Sequence, residues 1–345
     1  AFEASVGYRP TFGTWPARVS AAVGIRGYLA GIALLATIFV AGPVRELLEL
    51  GAGTWALIVL ALSGFVLAID AAMALVNTSV ISRFTATSLP ELELSSGIDA
   101  AMRTLVVVPV MLTTEDALAA HLERLEIHHL ASLDGDISFA LLSDWTDAAS
   151  ERVDGDDALL ASAVAGVSRL NQQYGTAPEG ERFLLLHRRR LWNSAQGAWM
   201  GWERKRGKLH ELNRILRGAI DTSFMAVNGK LPTVPSGVRY VVTLDADTRL
   251  PRDAVRRLVG KMAHPLNTPR FDRHCGRIVE GYAILQPRIA SSIPLGFEGS
   301  YYQRLVSGAG GIDPYASAVS DIYQDLCGEG SYVGKGIYDV DAFEA

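Results

Sequence analysis

Two aspartates stand directly after an apolar segment, where residues 241–244 are followed by Asp245 and Asp247. Carboxylates at positions i and i+2 after a buried strand emerge together at the edge of a sheet and repel one another. A hard divalent cation, Mg²⁺ or Mn²⁺, relieves that repulsion and can bridge to a diphosphate. The pair therefore predicts a metal site at Asp245 and Asp247. A solvated turn with one aspartate capping a helix is the alternative interpretation.

A second polar group combines a carboxylate with a basic segment. Asp144 ends another apolar segment, where it could hydrogen-bond a nucleotide base or ribose, or serve only as a turn or cap. Residues 199–213 read Trp-Met-Gly-Trp-Glu-Arg-Lys-Arg-Gly-Lys-Leu-His-Glu-Leu-Asn and place four cations around Gly207. Such cations suit a diphosphate, and the aromatic side chains add stacking surface. An exposed basic helix start near anionic lipid is the alternative.

The segment 327–336 is rich in glycine, which lets backbone approach a ligand closely. Its spacing is not that of a Walker motif, and no Gly-x-Gly-x-x-Gly follows the first predicted strand.

The two cysteines, Cys275 and Cys327, form neither a zinc pattern nor a disulfide framework. The net charge is -5, from 32 basic and 37 acidic residues, which argues against a nucleic-acid binder.

Alternating apolar strands and helices must position these residues. We predict strands at 105–110, 137–142, 183–187, 238–244 and 278–286. Helices are predicted after Thr113 or Thr114, at 154–174 and after Pro251. This alternation indicates an α/β domain with a mainly parallel sheet. Ligands of such sheets bind at the carboxyl ends of the strands, where both aspartate groups lie.

Two apolar segments precede this domain. A membrane-spanning helix needs ~20 apolar residues. The second segment, 54–76, has that length, and the first reaches it from about Val19 to Gly42. We predict a transmembrane helical hairpin within a domain 1–84, followed by an α/β domain at 85–345. Arginines before and after the hairpin place both ends in the cytoplasm. A buried helical pair in a soluble domain is the alternative.

These motifs resemble the glycosyltransferase segment of cyclic β-1,2-glucan synthases, large inner-membrane enzymes of glycosyltransferase family 84. The resemblance covers about residues 85–345, and the broader pattern is similar to processive inverting enzymes of the cellulose synthase type. It is carried by Arg103-Thr-Leu-Val-Val-Val-Pro109, by 199–213, by Leu244-Asp-Ala-Asp-Thr248 and by 327–339. It implies a GT-A-like, Rossmann-like fold, UDP-glucose as donor, a growing β-1,2-glucan as acceptor and a divalent metal. The bacterial inner membrane is the implied location, with the catalytic domain facing the cytoplasm.

The same resemblance implies roles for single donor-site residues. Asp144 would hold the uridine, and Lys208 would lie near the diphosphate or the uridine. Asp245 and Asp247 would hold the phosphates of the donor through Mg²⁺ or Mn²⁺.

Five further residues are implied to line the cleft around the donor sugar. Gly328 and Glu329 would contact the donor, while Cys327 would lie beside the acceptor end. Gln286 and Arg288 would line the same cleft.

The general base of these enzymes is an aspartate expected beyond Ala345, and Asp339 and Asp341 lack its sequence context. We therefore expect this chain to be part of a longer synthase, with membrane lipid and the remaining domains as partners. Two other functions stay open: synthesis of another β-glucan, or a catalytically silent module that binds nucleotide sugars.

Overall fold

The computed structural model describes residues 15–83, 88–132, 135–226, 233–287, 332 and 334–344. The helices that precede Ser88 belong to one compact unit. Residues 89–287 and 334–344 belong to another. The predicted boundary between residues 84 and 85 lies outside the described residues.

The first unit contains two long helical segments, α1 (Trp15–Glu49), which is kinked at Gly24, and α2 (Thr54–Arg83). They pack through fully buried Ala36 and Ala72, and the Tyr28 hydroxyl donates a 2.8 Å hydrogen bond to Asn77 Oδ1. The portions Val23–Glu49 and Thr54–Asn77 are long and apolar enough to cross a membrane. Together with the many exposed leucine, isoleucine and valine side chains, they indicate membrane association.

The first helix is longer than predicted. Its end was predicted near Gly42, with a turn at 43–53, but α1 continues through Pro43 to Glu49. Proline is tolerated inside apolar membrane-spanning helices. An ion pair between Arg45 Nε and Glu49 Oε1, at 3.0 Å, stabilises the last turn.

The second unit is built on a six-stranded sheet in the order β3-β2-β1-β6-β10-β9. The first four strands in this order run parallel, and β10 pairs antiparallel with β6 and with β9. The strand bounds are β1 (Thr104–Leu112), β2 (Ile137–Trp145), β3 (Phe183–Arg188), β6 (Tyr240–Thr243), β9 (Ile284–Leu285) and β10 (Gly336–Asp339).

Among the residues that the structure describes, five α-helices and two small antiparallel sheets accompany this sheet. The helices are α3 (Glu115–Leu130), α4 (Asp156–Tyr174), α5 (Arg204–Leu216), α6 (Ala254–Ala263) and α7 (Val340–Glu344). The small sheets are β4 (Leu191–Asn193) with β5 (Ala198–Met200), and β7 (Arg270–Asp272) with β8 (Arg277–Glu280). Thr114 caps α3 as predicted, since its side chain accepts a hydrogen bond from the Ala117 amide.

The core lies between the sheet and its helices. Every residue of β2 is buried, as is nearly all of β1, and Val106 stands between Phe139 and Val242 in the register. Strands buried on both faces read as continuous apolar runs, which explains why these segments were recognisable. The predicted α/β class, with a mostly parallel sheet after two apolar helices, is confirmed.

One predicted strand is wrong. The segment 278–286 was expected to be continuous, but β8 ends at Glu280 and β9 begins at Ile284. Gly281 separates them with a φ of +68°, and a Cβ at this position would lie 2.0 Å from the Thr268 carbonyl oxygen. The chain therefore turns at a glycine that no other residue could replace without displacing backbone.

Candidate donor-binding site

Asp245 lies just beyond the carboxyl end of β6, where two lysines meet it. Lys205, in the first turn of α5, donates a hydrogen bond to Asp245 Oδ1. Lys335 Nζ lies 2.9 Å from Asp245 Oδ2. Lys205 Nζ also donates to the Gly334 carbonyl at 2.7 Å, so helix α5 is joined to the chain that leads into β10. We call Asp245, Lys205 and Lys335 the open cluster, because each side chain is about a quarter to a third exposed.

The open cluster holds its aspartate in the charged form. Burial alone would raise the pKa of Asp245, but hydrogen bonds from Lys205 and Lys335 lower it below its ordinary value. Two cations therefore face one anion, and the cluster carries an excess positive charge. Such an arrangement attracts a further anion.

Asp247 stands two residues further on and is exposed. Its side chain makes no ion pair or hydrogen bond within the described part of the chain. The turn that carries it is closed by the Thr248 amide, which donates to the Asp245 carbonyl at 3.0 Å, and by the Thr248 hydroxyl, which accepts from the Asp245 amide at 3.2 Å.

Asp245 and Asp247 can be compared with a magnesium-type site. Within the ranges that the structure describes, no three His, Cys, Asp or Glu side chains come together as metal ligands. Mg²⁺ is usually held by one or two carboxylates, with water and substrate phosphates completing the coordination. The exposed Asp247 and the partly exposed Asp245 match this number of carboxylates, but both oxygens of Asp245 are paired with lysines.

Asp144, at the end of β2, has a different environment. It is 3% exposed, and both of its oxygens are engaged by cations. Arg188, on β3, donates from Nε to Oδ1 at 2.7 Å and from Nη2 to Oδ2 at 3.0 Å. Lys208 Nζ lies 3.1 Å from Oδ2 and donates to the Val110 carbonyl at 2.6 Å. Burial lowers the pKa of Lys208, and the charge of Asp144 opposes that shift.

Arg188 connects this pair to the start of α5. Its Nη1 donates to Glu211 Oε1 at 3.0 Å, and its Nη2 donates to the carbonyls of Trp202 and Arg204 at 3.0 and 3.1 Å. Two cations and two carboxylates are thereby buried together. We call Asp144, Arg188, Lys208 and Glu211 the buried network.

Glu211 extends the network to the chain beyond α5. It accepts hydrogen bonds from the Ser223 amide at 2.6 Å and from the Thr222 and Ser223 hydroxyls at 2.8 Å. Burial would raise the pKa of Glu211, but these bonds and the one from Arg188 lower it. The carboxylate is therefore charged and fully satisfied.

The turn between β5 and α5 is closely packed and strained. A Cβ at Gly201 would lie 2.7 Å from Asp144 Cγ, and one at Gly207 would lie 2.0 Å from the Trp202 carbonyl oxygen. Glu203 and Arg204 have φ values of 49° and 44°, in a region that residues other than glycine rarely adopt. Arg188 holds the carbonyls on both sides of Glu203, and Lys205 follows directly.

The structure thus divides the predicted donor residues into two groups. Asp144 and Lys208 meet in the buried network, whereas Asp245 and Asp247 lie at the open cluster. Gln286 is half-buried and follows β9, with its Cα 3.2 Å from the position that a Cβ on Gly336 would take. The remaining predicted cleft residues lie outside the described part of the chain: Arg288, Cys327, Gly328 and Glu329.

Four charged residues at these sites were not singled out from the sequence. Lys205 and Glu211 belong to the segment 199–213, but Lys208 was the residue chosen from it for the diphosphate. Lys335 belongs to the glycine-rich segment. Arg188 directly follows the predicted strand 183–187, and its position at a carboxyl end was the available signal.

The two late aspartates have structural contacts. Asp339 is buried, and its Oδ1 accepts from the amides of Asp341 and Ala342, both at 3.1 Å, at the start of α7. Its Oδ2 faces Arg239 at 3.3 Å. Asp341 pairs with Arg217 at 2.5 Å.

No protein-family model matches this chain. Over 278 residues it is 51% identical to the cyclic β-(1,2)-glucan synthase NdvB of Rhizobium meliloti (strain 1021). The match covers 80% of this chain and 10% of that protein. The chain therefore spans about a tenth of the length of this curated relative.

Proposed function

Because this chain is homologous to a segment of a cyclic β-(1,2)-glucan synthase, we propose that its α/β domain is a GT-A-like inverting glycosyltransferase. In this proposal the domain binds UDP-glucose and transfers glucose to a growing β-1,2-glucan. The observation that carries the proposal is the open cluster, in which Lys205 and Lys335 face Asp245 at the carboxyl end of β6. Open α/β sheets bind their ligands at this edge.

The lysines of the open cluster supply the charge that a nucleotide diphosphate requires. In the absence of donor, Asp245 holds both ammonium groups at the strand end. When donor binds, its phosphate oxygens take over hydrogen bonds from Lys205 and Lys335, and Asp245 is released. Solvent-exposed ion pairs are worth only about 0–1 kcal/mol, and the partly exposed pairs of the open cluster cost less to exchange than buried ones.

Asp245 and Asp247 would together hold Mg²⁺ or Mn²⁺. The cation would neutralise charge that develops on the departing diphosphate. Asp247 is already accessible, and Asp245 becomes accessible as its lysines move to the phosphates.

The transfer is a single displacement at the anomeric carbon of glucose. The bond from this carbon to the diphosphate oxygen breaks as a bond to the 2-hydroxyl oxygen of the acceptor forms. The acceptor proton passes to a general base. Lys205 and Lys335 remain hydrogen-bonded to the diphosphate and stabilise it as UDP leaves.

We place the protein in the bacterial inner membrane, with the α/β domain facing the cytoplasm. The two apolar helices and the arginines that flank them support this orientation. The proposed partners are UDP-glucose, the growing glucan, membrane lipid and the remaining domains of a full-length synthase.

Calorimetric titration tests the donor site. The full chain in lipid nanodiscs is titrated with UDP-glucose in Mn²⁺ and then in EDTA. We expect binding that requires the metal and is abolished by Asp247→Asn. Asp154→Asn, at an exposed aspartate in another loop, is the matched control and should bind normally.

Unchanged affinity of Asp247→Asn would contradict the metal assignment. Analysis of the glucan linkage made by the full-length enzyme separates β-1,2-glucan synthesis from synthesis of another β-glucan. Donor binding without turnover in that longer protein would instead favour a silent nucleotide-sugar-binding module.

A further inference from the structure

The segment between β3 and α5 has an unusual composition. Residues 191–202 read Leu-Trp-Asn-Ser-Ala-Gln-Gly-Ala-Trp-Met-Gly-Trp, with three tryptophans and no charged side chain. Both flanks are strongly basic, with arginines at 188–190 and cations from Arg204 to Lys208. The proposed donor site does not include these aromatic side chains.

The strands β4 and β5 place two of the tryptophans side by side. Trp192 stands opposite Trp199 in the antiparallel register, so both project from the same face of the hairpin. Their ring centroids lie 5.9 Å apart, and the ring planes are inclined by 59°. Trp192 is 54% exposed and Trp199 is half-buried. We call this pair the tryptophan platform.

Backbone contacts hold the platform in place. Trp199 and Ala148 exchange two backbone hydrogen bonds of 2.9 Å, which join β5 to the loop after β2. The Asn193 side chain accepts from the amides of Ala195 and Gln196 at 3.0 and 3.2 Å and closes the hairpin turn. On the opposite face, Met200 is buried. A ligand would therefore meet aromatic rings that are already ordered, which lowers the entropic cost of binding.

The platform lies at the edge of the sheet where the donor site is proposed. The hairpin begins three residues after β3 ends, and Gly201, which follows β5, packs against the Asp144 carboxylate. Helix α5 then starts and carries Lys205 to the open cluster. The aromatic pair and the lysine are thus carried by one continuous segment at the carboxyl ends of the strands.

We propose that the tryptophan platform binds the glucan chain, as a subsite for sugar units of the acceptor or product. This inference rests on the proposed function. A glucose ring is uncharged and has an apolar face of C–H groups, which stacks on an indole ring, while its rim of hydroxyls seeks neutral hydrogen-bonding groups. The exposed Ser194 and Gln196 at the hairpin turn supply such groups.

The charge pattern favours a glucan over a membrane surface. Segments that bind anionic lipid place lysines and arginines beside their aromatic residues. The twelve residues 191–202 contain none, and two of the three arginines that precede them, Arg188 and Arg190, are buried in ion pairs. A neutral polysaccharide matches this uncharged segment, whereas the donor diphosphate matches the basic turn that follows it.

Calorimetry with a linear β-1,2-linked gluco-oligosaccharide tests the proposal, using the full chain in nanodiscs. We expect Trp192→Ala to weaken oligosaccharide binding at least about tenfold. Trp192→Phe, which keeps an aromatic face, should retain most of the affinity. Leu266→Ala, at a residue that is 76% exposed, is the control for loss of exposed apolar surface and should bind normally.

A parallel titration with UDP-glucose separates this proposal from the proposed function. All three variants should bind donor as the unmodified chain does. If the unmodified chain binds the oligosaccharide but does not bind UDP-glucose, the result would overturn the donor site and support the platform. Oligosaccharide affinity that is absent or unaffected by Trp192→Ala would overturn the platform. The fluorescence of Trp192 is obtained as the difference between the unmodified chain and Trp192→Phe. Quenching of this fluorescence by brominated lipid in the nanodisc would overturn the platform in favour of membrane contact.

Discussion

Helix α5 carries two lysines, Lys205 and Lys208, one turn apart, and each pairs with an aspartate at the carboxyl end of a parallel strand. Lys208 and its partner Asp144 are almost completely buried, with 3% and 4% of their side chains exposed. Lys205 and its partner Asp245 are 31% and 34% exposed. Pairs with the same chemistry on the same helix therefore have different physical roles.

Burial decides which pair can exchange its partner. A buried charge that loses its partner is left without solvation, and the cost is several kcal/mol. A partly exposed charge that loses its partner can be solvated by water, and for exposed pairs the cost is about 0–1 kcal/mol. The buried network is therefore a fixed support, and the open cluster is the place where a ligand can replace a protein group.

The largest expected effect concerns Arg188, the centre of the buried network. Arg188→Ala leaves Asp144 and Glu211 buried without their shared guanidinium, and we expect a loss of about 3–5 kcal/mol in the free energy of unfolding. Arg189→Ala removes an exposed arginine from the adjacent position and should change it by less than about 0.5 kcal/mol. Urea unfolding of both variants measures the difference. A similar small loss in both would contradict the fixed-support role.

The sequence was sufficient for the fold class because burial on both faces of β1 and β2 leaves continuous apolar runs. It was insufficient where the structure depends on distant contacts. At the break, the backbone of Gly281 lies close against the Thr268 carbonyl. Strand β10 pairs with β6 across almost a hundred residues. No local pattern records either contact.

The candidate site shows the same limit. The place of Asp245 after a strand is a local feature, and it was recognised. Which lysine meets which aspartate depends on how α5 is rotated, and that rotation is fixed by Arg188 and by the close contact at Gly207. The basic run could therefore be identified as a group, whereas the choice of Lys208 over Lys205 for the diphosphate could not be made from spacing.

The second prediction compares the two lysines directly. Lys208→Met should lower the free energy of unfolding by about 2 kcal/mol, because Asp144 keeps Arg188 but loses one buried partner. Lys205→Met should change it by less than about 1 kcal/mol and weaken UDP-glucose binding about tenfold. Urea unfolding and calorimetry on both variants give the four values. Equal losses of stability would show that exposure does not separate the two pairs.

The smallest expected effect concerns the strained turn that joins the two regions. Glu203 has a φ of 49°, and glycine adopts such a conformation without steric cost. Glu203→Gly should therefore raise the free energy of unfolding by up to about 1 kcal/mol, since relief of strain outweighs the added freedom of the unfolded chain. Donor affinity should change less than about twofold, because Arg188 still holds the carbonyls of Trp202 and Arg204.

Asp253→Gly is the matched control, because Asp253 has a φ of 61° at the start of α6 and no contact with the open cluster among the described residues. It should gain similar stability, again with unchanged donor affinity. A loss of donor affinity in Glu203→Gly alone would show that the strained backbone itself positions Lys205. In that case the turn, and not the buried guanidinium, would be the link between the fixed support and the exchangeable pair.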